Sequence, residues 1–427
     1  MTRLRLASDE TFRSLRIRNF RLFFVGQGIS QIGNWLTLIA QSLLVYKLTD
    51  SGVALGALAA AQFGPVLLLG GYAGLIADRT DKRKLLLIVQ TFAMGQSFAL
   101  AALAFQHHPP VWAIFVIASL GGTATAFDNP ARRSYVVEMV PEDQVTNAVS
   151  LNSALMMGSR VIGPALGGVL VVTVGFGWAF LLDGLSYTAV LVGLWMIDST
   201  LVRRPPLQPR GKGQVRAGLR YAWSVPELRV PLVMMTVVGT LAFNFQTILP
   251  LFAARDLHGP GGGLFSALMS VISVGSLIGA LRSARRTTVS VRTVSLSALA
   301  FGASMLALSV APNTAFAFGL GAVMGFASIS FMTASTAIVQ LRAKPSMRGR
   351  VLAIQAIVFL GSTPIGGPIL GFVGQHYGAR YGLAVGALAT LAAGAYGLAV
   401  VRNAPAVVVT DAAEAEALAE AALPQPA

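Results

Sequence analysis

Ten stretches of this chain contain no Asp, Glu, Lys or Arg, and each is long enough to cross a bilayer as a helix. They are Leu22–Tyr46, Gly52–Ala77, Leu85–Gln106, Pro109–Phe127, Val161–Leu182, Val230–Ala254, Leu257–Leu281, Thr293–Leu341, Val351–Ala379 and Tyr381–Val401. A spanning helix needs about 20 mostly apolar residues. Thr293–Leu341 holds two such spans, with Ala311-Pro312-Asn313 as the turn between them. The fifth and sixth spans meet at the glycine-containing turn Val171–Gly177. The pattern predicts twelve spans, near 20–46, 53–77, 84–106, 110–128, 147–172, 177–198, 229–253, 262–284, 289–310, 313–335, 350–374 and 380–401. Only 11% of the 427 residues are charged, against about 25% in a soluble protein. The fold class is therefore an all-α polytopic membrane protein.

Charge placement sets the orientation. Twenty-eight of the 32 Lys and Arg residues fall before span one or in the loops after even-numbered spans. Only Lys47, Arg255 and Arg380 fall in the alternate loops, and Arg160 lies within a span. The positive-inside rule puts both termini in the cytoplasm of a plasma (inner) membrane protein. The net charge of +15 is thus topogenic and faces anionic lipid, with no nucleic acid partner implied. An error of one span would destroy the alternation, so the asymmetry also supports the count of twelve.

The chain divides into a basic N-terminus (1–21), a first six-helix bundle (22–198), a basic linker (199–228), a second bundle (229–401) and an Ala/Glu/Pro-rich tail (402–427) expected to be disordered. A constant offset of 204 relates the halves. It aligns Gly163-Pro164-Ala165-Leu166-Gly167 with Gly367-Pro368-Ile369-Leu370-Gly371, Gly71 with Gly275, Asp78 with Arg282, and Pro141 with Pro345. Two parallel six-span repeats related by an axis along the membrane normal are a transporter architecture.

Several chemistries are excluded. With no Cys there is no disulfide scaffold, thiolate metal site or cysteine nucleophile. The four histidines (His107, His108, His258, His376) are too scattered for a metal site, and no cofactor is implied. No Gly-rich phosphate loop ending in Lys-Ser/Thr is present, which disfavours ATP-driven pumping. No catalytic cluster supports a membrane enzyme, and a non-transporting sensor stands as a weaker alternative.

Polar groups inside the spans are candidate functional residues, because lipid-facing polarity is costly. Gln27, Gln31, Asn34 and Gln41 are spaced four, three and seven residues apart, so they share one helical face. Trp35 lies beside it. Asn152 and Arg160 in span five, Asn244 and Gln246 in span seven, Ser266, Ser270 and Ser273 in span eight, and Gln355 in span eleven add further groups. They either line a cavity for a bulky amphiphilic solute or bridge helices. Arg160 and Asp183 are charges within spans. They form a structural ion pair, or Arg160 holds substrate while Asp183 or Asp128 carries a coupling proton.

Gly74-Leu75-Ile76-Ala77-Asp78-Arg79-Thr80-Asp81-Lys82-Arg83-Lys84 resembles the loop motif of the major facilitator superfamily, G-x-x-x-D-R-x-G-R-[KR], with Asp81 in place of the usual Gly. Gly163-Pro164-Ala165-Leu166-Gly167-Gly168 resembles the antiporter motif G-P-x-x-G-G of exporters. Phe20–Asn34 and Arg160 are similar to the branch holding the enterobactin exporter and macrolide-efflux proteins. The resemblance covers residues 15 to 401. It implies a proton-driven, monomeric exporter of drug-, macrolide- or siderophore-like molecules working by alternating access. An uptake permease of the same fold is the alternative. It also implies that Asp78 and Arg79, with Arg83 nearby and Arg132 or Arg133 as partner, latch the outward-facing state. Independently, Gly74 and Ala77 are small enough for close helix approach, and a carboxylate at Asp78 can meet a basic group or a helix N-terminus across the seam. The reading without a latch is a solvated topogenic loop. The Gly163–Gly168 segment and its counterpart Gly367, Pro368 and Gly371 are expected to be pliable, close-packed helix beside the central path.

Overall fold

A computed structural model of the chain describes residues 12–203, 214–258, 262–284, 288–400 and 407–408. Of a few helical residues within these ranges, Asp78 among them, only the backbone is described. The first half holds α1 (Arg18–Thr49), α2 (Gly52–Arg79), α3 (Lys82–Ala104), α4 (Val111–Glu138), α5 (Val145–Thr173) and α6 (Phe176–Met196). A short amphipathic helix α7 (Gln214–Ser224) follows in the linker. The second half holds α8 (Pro226–Leu241), α9 (Phe245–Leu251), α10 (Gly263–Ala284), α11 (Val291–Ser309), α12 (Thr314–Arg342), α13 (Pro345–Gly361), α14 (Thr363–His376) and α15 (Ala379–Val400).

The turns follow local chemistry. Ser51, Asp81 and Asn313 each accept a backbone N–H at the start of α2, α3 and α12, the usual N-cap arrangement. Gly175 takes φ +89° between α5 and α6, a region open to glycine. Two spans expected to be continuous are broken. Span seven divides into α8 and α9 because the Asn244 amide donates to the Thr240 carbonyl at 2.7 Å, in competition with the backbone ladder. Span eleven divides into α13 and α14 at Ser362, just before Pro364, whose ring cannot donate to the preceding turn. Spans four and ten run further than expected, to Glu138 and Arg342, as helix emerging from the bilayer.

Eleven helical segments among the described residues are long and apolar enough to cross a membrane. The 32-residue α1 is the twelfth long helix, and its amides keep it out of that set. In the first half α2 packs on α4, and α3 on α4 and α6. In the second half α10 packs on α12, and α11 on α12 and α15, so the arrangement repeats. Residues 1–11 and most of the linker and tail, on which boundary expectations were placed, lie outside the described residues. Val407–Val408, expected to be disordered, instead pairs antiparallel with Thr288–Val289.

The halves meet along two seams, α2 against α14 and α5 against α10. In both, contact is confined to the end away from the basic loops. On the first, Gly52 and Gly56 lie against Gly371 and Gly367, down to Leu67 against Gly361. On the second, Gly168 lies against Ser266, down to the Arg160 carbonyl, which accepts from Ser273 Oγ at 3.4 Å. Beyond these points the helices part. A side chain begun at Gly70, Gly71 or Gly74 on α2, or at Gly158 on α5, would meet no atom within 4 Å. The apolar core follows suit. One cluster, containing Leu43, Leu55, Leu251 and Phe265, joins both halves. Towards the basic end two separate clusters form, one around Phe23 and Tyr135 and one around Leu228 and Val351. The molecule is therefore cleft at its basic end and closed at the other.

Candidate functional site

A cavity of about 210 Å³ lies at the apex of the cleft, where both seams divide. Side chains from both halves line it. The α8–α9 break presents Phe243, Asn244, Phe245 and Gln246; α5 presents Arg160 and Pro164; α1 presents Trp35. Phe63 of α2, Phe359 of α13 and Thr363 of α14 complete the far wall. Ser273 and Ser276 line the α10 side, and Ser328 the α12 side. Phe243 anchors an aromatic group, with ring centroids 5.8 Å from Phe245, 5.3 Å from Phe301 and 5.2 Å from Phe359. The Arg160 guanidinium stands over the Trp35 ring at 5.5 Å, a cation–π contact. Asn244 uses its amide N–H on the helix, and its Oδ1 is buried without a partner.

Of the sequence candidates, Trp35, Arg160, Pro164, Asn244 and Gln246 come together at this cavity. The α1 amide stripe does not line it. Gln41 Oε1 accepts from Gln62 Nε2 at 2.6 Å, a buried bridge between α1 and α2. The Gln31 amide approaches Met156 Sδ at 2.9 Å. Gln27 is buried, and Asn34 and Asn152 are half-buried elsewhere. Gln355 donates to Ser335 Oγ at 3.1 Å and ties α13 to α12. The helix-bridging reading holds for Gln41 and Gln355. The aromatic wall was missed, although Phe243-Asn244-Phe245 gave a signal: an amide flanked by two rings in a span.

Asp183 and Arg160 do not pair. Asp183 Oδ2 accepts from Thr37 Oγ1 at 2.6 Å and Ser97 Oγ at 2.7 Å, and Ser186 lies alongside. These hydroxyls come from α1, α3 and α6, and Gly33 leaves the room: a Cβ there would lie 2.6 Å from Ser186 Oγ. Asp128 is ion-paired with Arg132 one turn along α4 and accepts from Gln90 Nε2 at 2.6 Å. Arg132, one of the two partners expected for Asp78, is held by this pair in the present conformation.

In the loop motif and its expected partners, Arg79 and Arg133 are exposed, and the Asp78 side chain lies outside the described atoms. Gly74, expected to let two helices touch, has no neighbouring atom within 4 Å of a Cβ built on it. Arg83 donates to the carbonyls of Leu194 and Trp195 at 2.8 and 2.7 Å, capping the C-terminus of α6. Lys82 pairs with Glu138 at 2.7 Å, both largely buried. Gly163 and Gly167 let α5 approach Trp35 and Leu36 of α1. Gly168, Gly367, Pro368 and Gly371 all sit in the cross-half seams.

At the closed end a polar cluster spans the halves. Gln375 Oε1 accepts from the Gly52 backbone N–H at 2.7 Å. Arg255 donates to the Asp50 carbonyl at 2.7 Å and lies 3.4 Å from its carboxylate. Asp50 holds φ +45° to make this turn. Nothing in the residue pattern singled out Gln375 or Asp50.

Two helical halves with a seam-crossing cavity, open at one end, define a membrane transporter of the major facilitator fold. The sequence profile of the transmembrane secretion effector family matches residues 9–425, and the chain belongs to that family. It is 24% identical to the staphyloferrin A transporter of Staphylococcus aureus, over 84% of this chain and 90% of the relative. It is also 24% identical to macrolide efflux protein A of Streptococcus pyogenes, over 81% and 87%. A bacterial homologue of the lysosomal transporter Spinster, solved inward-facing and occupied, shares the fold with TM-score 0.72 at 15% identity. That match covers 91% of this chain and 97% of the homologue. The chain is thus a multi-pass membrane transporter and not an enzyme.

Proposed function

We propose that this protein exports bulky amphiphilic organic molecules from the cytoplasm by alternating access, driven by proton antiport. The carrying observation is the apex cavity, reached from the basic end and closed at the other by small-residue seams. With the basic end in the cytoplasm of the plasma membrane, this conformation loads substrate from inside. The cavity of about 210 Å³ is smaller than the 300 Å³ or more of a drug site, so a bulky solute extends from it into the open cleft. The exporter-like motif at Gly163–Gly168 and the efflux relatives support the outward direction. Residues 22–198 and 229–401 move as two bundles, and Asp78 closes the basic end in the other state. Asp183 is the better proton carrier, because Asp128 is already matched by Arg132. The protein works as a monomer, with anionic lipid facing its basic loops.

The test is transport in everted membrane vesicles under an imposed pH gradient, with macrolides, siderophores and cationic dyes as probes. Uphill accumulation of at least one probe, abolished by collapsing the gradient, is expected. Accumulation only when the gradient is reversed indicates uptake instead.

A further inference from the structure

We infer that the cavity takes organic anions, amphiphiles bearing a carboxylate on an aromatic or aliphatic body, and rejects organic cations. This rests on the reading of the cavity as the substrate site, and it names the class of substrate.

Among the described residues no carboxylate reaches Arg160, and no Asp or Glu lines the cavity. The three acids buried among the described residues of the first half are committed elsewhere, Asp183 to hydroxyls, Asp128 to Arg132 and Glu138 to Lys82. Between Val230 and Val400 the only acid is Asp256, and it pairs with Arg380 at the closed end. The apex of the cleft therefore carries one full positive charge and no negative one.

That charge is not employed in holding the seam. The Ser273 tie is to the Arg160 backbone carbonyl, so the guanidinium keeps its five N–H donors for another group. Trp35 lies 5.5 Å from it, and a carboxylate docks on such a guanidinium fork with two parallel hydrogen bonds. A cation brought to the same place meets a like charge with no acid to compensate. Phe63, Phe243 and Phe359 supply the surface for the apolar body of the ligand.

The test uses three isosteric probes, 1-naphthylacetate, 1-naphthylacetamide and 2-(1-naphthyl)ethylamine, titrated calorimetrically into the purified full-length protein. The carboxylate is expected to bind about tenfold or more tightly than the amide, the worth of one charge-assisted contact, and the amine weakest. Arg160→Gln, checked for folding by gel filtration, should level carboxylate and amide, and Arg160→Lys should keep the order with a smaller gap. An amine that binds as well as the carboxylate overturns the inference, as does absence of binding by all three. Failure of the underlying reading shows separately. The chain has no cysteine, so Ser276→Cys can be alkylated with a bulky maleimide. If transport in vesicles then continues at the full rate, the cavity is not the substrate site at all.

Discussion

Gly56→Ala tests whether the α2–α14 seam is a gate. A Cβ at this position would lie 2.6 Å from the Gly367 carbonyl oxygen and 2.7 Å from Pro368 Cα. Both are backbone atoms, so no side chain can turn aside, and the helices must part by the best part of an ångström. Overpacking of this kind costs roughly 1–3 kcal/mol. Alanine also favours helix over glycine by about 1 kcal/mol. That gain is common to both conformations, because α2 is helical in each, so it cancels from the gating equilibrium. The steric cost applies only when the seam is closed. The closed-to-open ratio at this end should therefore fall about 5- to 150-fold. Label pairs at Val53 and Tyr377, both exposed beside the seam, read the separation by pulsed electron resonance. The expected result is a new, longer distance population with slower transport and an unchanged yield of folded protein. Gly95→Ala on α3, where a Cβ meets nothing within 4 Å, is the control and should leave the distances unchanged. If Gly56→Ala matches Gly95→Ala, the seam is static packing and the gating argument is wrong.

Removing the polar closure should act in the same direction. Gln375→Ala, which frees the Gly52 N–H and one contact of Arg255, should raise the open population at that end, measured with the same labels. Arg132→Gln leaves Asp128 buried without its cation and should destabilise the protein by about 3–5 kcal/mol. The Asp128→Asn/Arg132→Gln double variant should recover most of that loss in a thermal-unfolding cycle. Asp183→Asn keeps the shape of the hydroxyl cage and should cost only about 1–2 kcal/mol, since interhelical polar bonds in membranes average near 0.6 kcal/mol. It should keep substrate exchange while losing accumulation against a gradient, and full proton-driven accumulation would remove Asp183 from the coupling path. Reporter fusions near residues 80, 210 and 345 should fall in the cytoplasm, and those near 108 and 258 outside.

The spans and the turns between them were legible, though not where spans four and ten end, because membrane crossing imposes a length and hydropathy that few other constraints disturb. The repeat was legible from Gly163–Gly167 and Gly367–Gly371: the first segment packs on α1 beside the α5–α10 seam, and the second lies in the α2–α14 seam. The breaks at Asn244 and Ser362 were not. A run without charges does not reveal that an asparagine side chain will take its own helix carbonyl. The α1 amides show the limit of face arguments. A shared face told that Gln27, Gln31 and Gln41 point inward, but not that Gln62 would meet Gln41 and remove it from the cavity. Arg160 was placed correctly near the middle of its span, yet its isolation from Asp183 depends on Thr37 and Ser97, which arrive from two other helices. Such convergence has no signature in a single strand of sequence. The loop motif was legible as a motif, but its engagement depends on which end of the molecule is closed.

Alternating access requires the two ends of the molecule to open in turn. Two cysteine pairs can be introduced into the cysteine-free chain: Val53 with Tyr377 at the closed end, and Arg79 with Arg348 at the basic end, all four exposed. Interspin distances for each pair are recorded in proteoliposomes at neutral and acidic pH, with and without a transported substrate. Alternating access predicts opposite movements: whenever the Val53–Tyr377 distance lengthens, the Arg79–Arg348 distance shortens, and the two populations change in equal proportion. Distances that stay fixed during active transport, or ends that open together, would contradict it.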